Sequence, residues 1–233
     1  GIPSAFLLHG YVGFIFGSVK ANPWWSSVLM PIVFLFSAIV SGIALLLLFY
    51  LLGTLLRAKL VDMVCMDKLA VFLFYALVLD FSLELLDFIH RLYEAEESIH
   101  ILSQLVSSRL FLSLVVLQAM LGTLLPLLVL GLVSPALRSR GLVNLPDELR
   151  RLLYAGAAVL IQIGIFSTRW NVVIGGQLFS KSLRGLTVYK MQLLGPEGLF
   201  AAGFLLLLPI VLLLVLIAVL PPWPEAEEHL SEA

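Results

Sequence analysis

The sequence predicts an all-α fold, a polytopic bundle of membrane-spanning helices. Hydrophobic residues make up 61% of the 233 residues, charged residues only 12%, and the mean hydropathy is +1.08. A soluble domain needs more charge than this to cover its surface. Several apolar stretches also reach the ~20 residues that an α-helix needs to cross ~30 Å of hydrocarbon.

Six stretches are predicted to span the membrane. They cover residues 2–19, 28–56, 69–92, 110–133, 152–173 and 199–220, each bound being approximate. Asn22-Pro23 ends the first span, and the basic residue Arg57 ends the second. Pro126 predicts a kink in the fourth span, because the apolar run continues beyond it, and Pro209 lies inside the sixth.

Small and charged residues add detail to the first and fifth spans. Gly10, Gly13 and Gly17 leave one face of the first span without side chains, which allows close helix packing. Asp147 and Glu148 follow Pro146 and predict a helix start before the fifth span, since acids are favoured at the positive end of a helix. Trp24 and Trp25 are of the type that lies at the headgroup level.

The chain is predicted to be one membrane domain, residues 1–220, followed by an acidic cytoplasmic tail, residues 221–233. Basic residues concentrate in the short loops after the second and fourth spans, which places those loops in the cytoplasm. The sequence opens at Gly1, directly in an apolar run without a basic n-region, so this run is not a signal peptide. We expect the chain to be the C-terminal part of a longer protein.

Composition excludes several function classes. The net charge of −1 gives no electrostatic basis for nucleic-acid binding. Cys65 is the sole cysteine, which rules out an internal disulfide and a cysteine-ligated iron–sulfur cluster within the chain. No CxxCH, Walker sequence or metal-binding histidine–acid spacing occurs, so no covalent cofactor and no metal site are predicted.

Acidic residues in the third span are the most unusual feature of the sequence. Asp80, Glu84, Asp87 and Arg91 fall on one helical stripe of about 60°, which must face the bundle interior because each charge in lipid costs a few kcal/mol. One interpretation is a proton path along these acids to the non-cytoplasmic side. The alternative is that they only pair with basic groups on neighbouring helices.

Two residues of the fifth span bear on that choice. Arg169 is the natural structural partner for the acids, since the fifth span ends on the same side as the third. Gln162 lies two turns before Arg169 on the same face and is included in the predicted proton path with Asp80, Glu84 and Asp87.

His9 is the one side chain of the first span that ionises near neutral pH. Such a histidine can pack, ligate a b-type haem or bind a quinone oxygen. A haem would need a second axial histidine, whereas His90, His100 and His229 lie near or beyond the membrane interface. Packing and quinone contact therefore remain as the alternatives.

Two stretches, "GIPSAFLLHGYVGFIFGSVKANPWW" (1–25) and "STRWNVVIGGQLFSKSLRG" (167–185), resemble the NrfD family of integral membrane subunits. That family includes the polysulfide reductase membrane subunit, and the two stretches are most similar to its Dsr-complex branch. The resemblance implies a bundle of eight to ten helices, of which this chain holds the last six, in a bacterial cytoplasmic (inner) membrane.

The resemblance also implies a function. Family members exchange electrons between membrane quinone, as menaquinone or ubiquinone, and an iron–sulfur, ferredoxin-like subunit of an oxidoreductase complex, without redox cofactors of their own. His9, Arg169 and Asn171 match family positions and become candidate quinone-binding residues. The iron–sulfur partner is expected to dock on the Trp24-Trp25 loop and the 174–197 connection. The alternatives are a proton- or ion-coupled secondary transporter and a passive membrane anchor.

Overall fold

The computed structural model describes residues 1–57, 60–94, 99–141, 145–179, 186–188, 192–195 and 198–220. Its helices are α1 (Ile2–Gly17), α2 (Met30–Leu56), α3 (Met63–Glu94), α4 (Ile99–Gln104), the π-helical segments π1 (Leu105–Arg109) and π2 (Phe111–Leu124), α5 (Leu125–Leu132), α6 (Pro135–Ser139), α7 (Asp147–Gln177) and α8 (Leu199–Val219). The prediction of an all-α membrane bundle is confirmed. The predicted acidic tail, residues 221–233, lies outside the described residues.

Five of the described helices are long and apolar enough to cross a membrane, so the predicted number of six is approximate. The first predicted span is a helix of 16 residues, about 24 Å long. The third and fifth predicted spans form the helices α3 and α7, which are longer than predicted, at 32 and 31 residues. Polar turns at their ends continue each helix beyond the apolar run. Helix α7 begins at Asp147, after Pro146, as the sequence predicts.

The fourth span departs from a regular α-helix. Its first part, π2, is a π-helix of 14 residues, and the α-helical pattern resumes in α5 next to Pro126. Proline has no N–H to donate, so Pro126 supplies no backbone hydrogen bond at this point. The sequence predicted a kink at Pro126, where the structure has the change from π- to α-helical hydrogen bonding; the π-helix before this residue was not predicted. π-Helical segments are rare and frequently accompany functional sites.

The chain divides into two units, Gly1–Thr187 and Val188–Ala233. In the first unit, α2 packs against α1, α3 and α7, while α7 also packs along π2 and α5. Gly122 of π2 and Gly164 of α7 bring the two backbones together, since a Cβ on Gly122 would overlap the Gly164 Cα. The second unit contains α8, an apolar helix with Pro209 inside it.

Glycines of α1 make the contact that the sequence predicted. A Cβ on Gly13 would lie 2.6 Å from the Pro31 Cα, and one on Gly17 would lie 2.5 Å from the Ser27 carbonyl oxygen. Gly10, the third of the repeat, has no described atom within 4 Å of its Cβ position. The bare face of α1 is therefore used over its second half, against the start of α2.

A dry apolar core fills the half of the bundle nearer the α2–α3 loop. Fully buried leucines and isoleucines from three helices meet there, among them Leu47, Leu73 and Ile161. The predicted cytoplasmic end of this core is closed by charged residues that sequence reasoning did not single out as a cluster. Arg150 donates to both carboxylate oxygens of Asp67 at 2.9 Å, and the Tyr154 hydroxyl donates to the same carboxylate at 2.8 Å.

Candidate functional site

The two stretches that carry the family resemblance lie against each other. Asn22 donates from Nδ2 to the carbonyl oxygen of Gly176 at 2.8 Å. The indole N–H of Trp24 donates to the carbonyl of Asn171 at 2.8 Å, and that of Trp25 donates to the carbonyl of Val172 at 2.6 Å. We refer to these contacts between the 22–25 loop and α7 as the tryptophan clamp.

Glycines make room for the clamp. A Cβ on Gly175 would lie 2.6 Å from the Trp24 Nε1, and one on Gly176 would overlap the Trp25 indole. Trp24 is only 3% exposed and Trp25 is half-buried. The Trp24 and Trp25 rings therefore hold α7, and the docking of an iron–sulfur subunit on their loop stays a prediction.

Two acids of the α3 stripe are buried within the protein. Asp80 is 2% exposed and Asp87 is 3% exposed, whereas Glu84 is partly exposed to an internal cavity. Asp87 forms an ion pair with Arg91 on the next turn and accepts a hydrogen bond from the Ser27 hydroxyl. Arg91 also donates to the carbonyl of Trp24, so the end of the stripe is tied to the clamp.

Glu84 is held by two neighbouring helices. Gln118 of π2 donates from Nε2 to its Oε2 at 3.1 Å, and the Thr168 hydroxyl of α7 donates to its Oε1 at 3.3 Å. Asn171 then donates from Nδ2 to the Gln118 Oε1 at 2.8 Å. Sequence reasoning missed Gln118, although an amide inside an otherwise apolar span was a visible signal.

Arg169 lies between the acids and α2. It interacts electrostatically with Asp80 and Glu84. Its Nη2 nevertheless donates to the Phe34 carbonyl at 3.1 Å and to the Ser37 hydroxyl at 2.5 Å, and its guanidinium stacks on the Phe34 ring, 3.9 Å from the centroid. Among the described residues, neither the Asp80 Oδ1 nor the Arg169 Nη1 has a hydrogen-bond partner. The acids and Arg169 are thus neighbours without direct pairing in the part of the chain that is described.

Gln162 is placed apart from the acids. It exchanges two hydrogen bonds with Ser41 of α2, accepting from the hydroxyl at 2.9 Å and donating to the carbonyl at 2.7 Å. The four predicted proton-path residues therefore divide into the α3 stripe, Asp80, Glu84 and Asp87, and a separate α2–α7 contact made by Gln162.

Two clefts flank Phe34. The first, which we name the groove, measures about 680 Å³, is bounded by α1, α2 and α7, and is lined by His9, Ser41 and Arg169 among apolar residues. The second, which we name the cavity, measures about 330 Å³ and lies between α3, π2 and α7. Its polar lining consists of Glu84, Asp87, Arg91, Gln118, Thr168 and Asn171. Phe34 lines both clefts, so its ring is the wall between them.

The candidate quinone-binding residues are consequently divided, with His9 and Arg169 in the groove and Asn171 at the cavity. His9 contacts the Ala5 carbonyl from Nδ1 at 2.9 Å. A carbonyl oxygen only accepts, so Nδ1 is the donor in this hydrogen bond. The described residues include no group of three or more histidine, cysteine or acidic side chains able to hold a metal ion.

The chain matches a known protein family over most of its length. The family model of polysulphide reductase, NrfD, matches residues 1–181, which include both halves of the clamp, the acidic stripe and both clefts. The chain belongs to the NrfD family. It is also 54% identical over 50 residues to a selenate reductase subunit from Mesobacillus selenatarsenatis, a match that covers 22% of this chain and 12% of that protein. No solved structure matches the chain.

The family assignment and the five long apolar helices support a multi-pass membrane protein. The match with the selenate reductase subunit covers only 12% of that protein. The activity and the partners of this chain are therefore proposals.

Proposed function

We propose that this NrfD-family chain is the membrane subunit of a respiratory oxidoreductase complex, that it binds quinone or quinol in the groove, and that an iron–sulfur subunit is its electron partner. The observation that carries the proposal is the groove itself, in which an imidazole, His9, and a guanidinium, Arg169, lie among apolar side chains. Small-molecule sites combine apolar walls with a few polar groups in this way.

His9 supplies the acid–base chemistry in this proposal. Oxidation of a quinol releases two electrons and two protons, and reduction of a quinone takes them up, so a base beside the ring is required. In quinol oxidation, Nε2 of His9 accepts one proton from a quinol hydroxyl, and in quinone reduction the imidazolium returns it. Arg169 donates to a ring oxygen, and electrons pass to or from the iron–sulfur subunit.

The acids of α3 are assigned to proton exchange. Asp80 and Glu84 lie within electrostatic reach of Arg169, which itself lines the groove. From there Asp87 and Arg91 continue the stripe to the tryptophan clamp. We propose that the second proton of each quinone reaction is exchanged along this stripe with the clamp side of the membrane.

Replacement of His9 by alanine in the complete complex tests the function. General acid–base groups contribute typically 10²–10⁴-fold to rate, so quinone-linked turnover should fall by about that factor while the complex still assembles. The matched control is His100→Ala, which removes an exposed histidine of α4 and should leave turnover unchanged.

Other outcomes favour the alternatives. Unchanged quinone-linked turnover in His9→Ala would remove His9 from the mechanism. If the complex assembles and no quinone analogue binds, the chain is a passive anchor. If the purified chain without redox partners takes up a solute into vesicles in response to a proton or ion gradient, it is a secondary transporter.

A further inference from the structure

The cavity on the other side of Phe34 has walls that suit an aromatic ligand. They are formed by aromatic rings, Phe34, Phe81, Phe88 and Trp24, and by aliphatic side chains. The six polar side chains named above also line the cavity, and small-molecule sites combine apolar walls with a few polar groups in this way.

Polar groups stand at two levels of the cavity. At one level, Glu84 is fixed by Gln118 and Thr168. At the other, Asp87 and Arg91 form their ion pair. Glu84 and Arg91 are seven residues apart, which is about 10 Å along a helix, and Asp87 lies about 4.5 Å from Glu84 along the same axis. A flat ring with oxygens at opposite positions matches this spacing.

The shape of the bundle gives such a ring an entrance. Helix α3 packs against α5, whereas the described part of the chain has less contact between α3 and π2. Leu85 of α3, which is 48% exposed, lines the cavity, as do Val115 and Ala119 of π2. A volume of about 330 Å³ holds a ring system, and an attached tail would leave between the spans.

We propose that this cavity is a second binding site for a quinone-type ring, separate from the groove, with the Glu84 carboxyl and the Asp87–Arg91 pair as its two hydrogen-bonding ends. The proposal rests on the quinone function proposed above. The Phe34 ring, with the Arg169 guanidinium stacked on it at 3.9 Å, separates the two sites. The aromatic walls stack on the ring, and its two oxygens accept hydrogen bonds from the Glu84 carboxyl at one end and from Arg91 at the other.

Photolabelling of the complete complex with an azido-substituted quinone, followed by peptide mapping, tests the second site. In the unmodified protein, label that excess unlabelled quinone suppresses should appear on two sets of peptides. One set contains the cavity residues of α3 and π2, and the other contains the groove residues of α1 and α2. In Glu84→Leu, the affinity for the cavity set should fall about tenfold, because the hydrogen bond from the Glu84 carboxyl to a ring oxygen is lost.

Matched steric variants separate the two sites. Ala119→Phe places a ring in the cavity and should remove the α3 and π2 label while the groove label remains. Ala38→Phe does the converse, since Ala38 lines the groove. Val115→Phe replaces Ala119→Phe if the latter does not assemble.

The outcomes distinguish the two proposals. Suppressible label in the groove alone, or α3 label that persists unchanged in Ala119→Phe and Val115→Phe, would reject the second site and leave the proposed function standing. Absence of suppressible label from both sets would reject quinone binding as a whole.

Discussion

The two ends of α3 and α7 carry buried charge in different ways. At the Asp67 end, a bidentate arginine and a tyrosine hydroxyl use both carboxylate oxygens, and a packed apolar core lies directly beneath. At the Asp80 end, the Oδ1 atom has no hydrogen-bond partner among the described residues, and two clefts adjoin the charged groups. Paired charges without a cleft serve structure, whereas incompletely paired charges beside clefts indicate a functional site.

The backbone geometry of the fourth span also differs between these two regions. The fourth span is regular in α5, where it contacts the apolar core, and π-helical in π2, where it supplies Gln118 to Glu84. The π2 carbonyl of Ser113 also accepts a hydrogen bond from the Ser167 hydroxyl at 2.7 Å. The irregular half of the span is thus the half that builds the cavity.

The largest expected effect comes from breaking the Asp67 cluster. Arg150→Met leaves the Asp67 carboxylate buried without its cation, and loss of one partner of a buried ion pair typically lowers the free energy of unfolding by about 3–5 kcal/mol. Reversible unfolding in mixed micelles measures this change. Arg151→Met is the control, since Arg151 is exposed and its replacement should change stability by less than about 0.5 kcal/mol. Equal effects of the two variants would show that the Asp67 end is not a structural cluster.

An intermediate effect is expected at the tryptophan clamp. In Gly176→Ala, the new methyl group would meet the Trp25 indole, displace it and break its hydrogen bond to Val172, which should lower the free energy of unfolding by about 1–3 kcal/mol. The emission of Trp25 should shift at the same time. Gly156→Ala on the same helix has no described atom near its Cβ position and should instead stabilise α7 by about 0.5–1 kcal/mol. A Gly176→Ala protein as stable as Gly156→Ala would mean that the clamp does not hold α7.

Local pattern was enough to predict the helices but not their contacts. Apolar run lengths predict the spans, and the spacing of Asp80, Glu84 and Asp87 predicts a shared face. The clamp joins Trp24 to Asn171, 147 residues along the chain, and nothing in either stretch alone specifies its partner. The division of His9 and Asn171 between two clefts follows from the position of the Phe34 ring, which is a tertiary feature.

The smallest stability effect is expected at Asp80, where the comparison between the two ends becomes sharpest. Asp80→Asn replaces a buried carboxyl, which the described residues leave incompletely bonded, by an amide of nearly the same size. It also removes the electrostatic interaction with Glu84, which is unfavourable, and that with Arg169, which is favourable. These effects oppose each other, so the free energy of unfolding should change by less than about 1 kcal/mol, whereas quinone-linked turnover of the complex should fall. Asp67→Asn is the matched substitution and should show the reverse, a loss of about 1.5–3 kcal/mol with turnover retained, because hydrogen bonds to the charged carboxylate are weakened. If both asparagine variants lose the same stability, Asp80 is a structural ion like Asp67. Proton exchange along the acids of α3 would then be rejected.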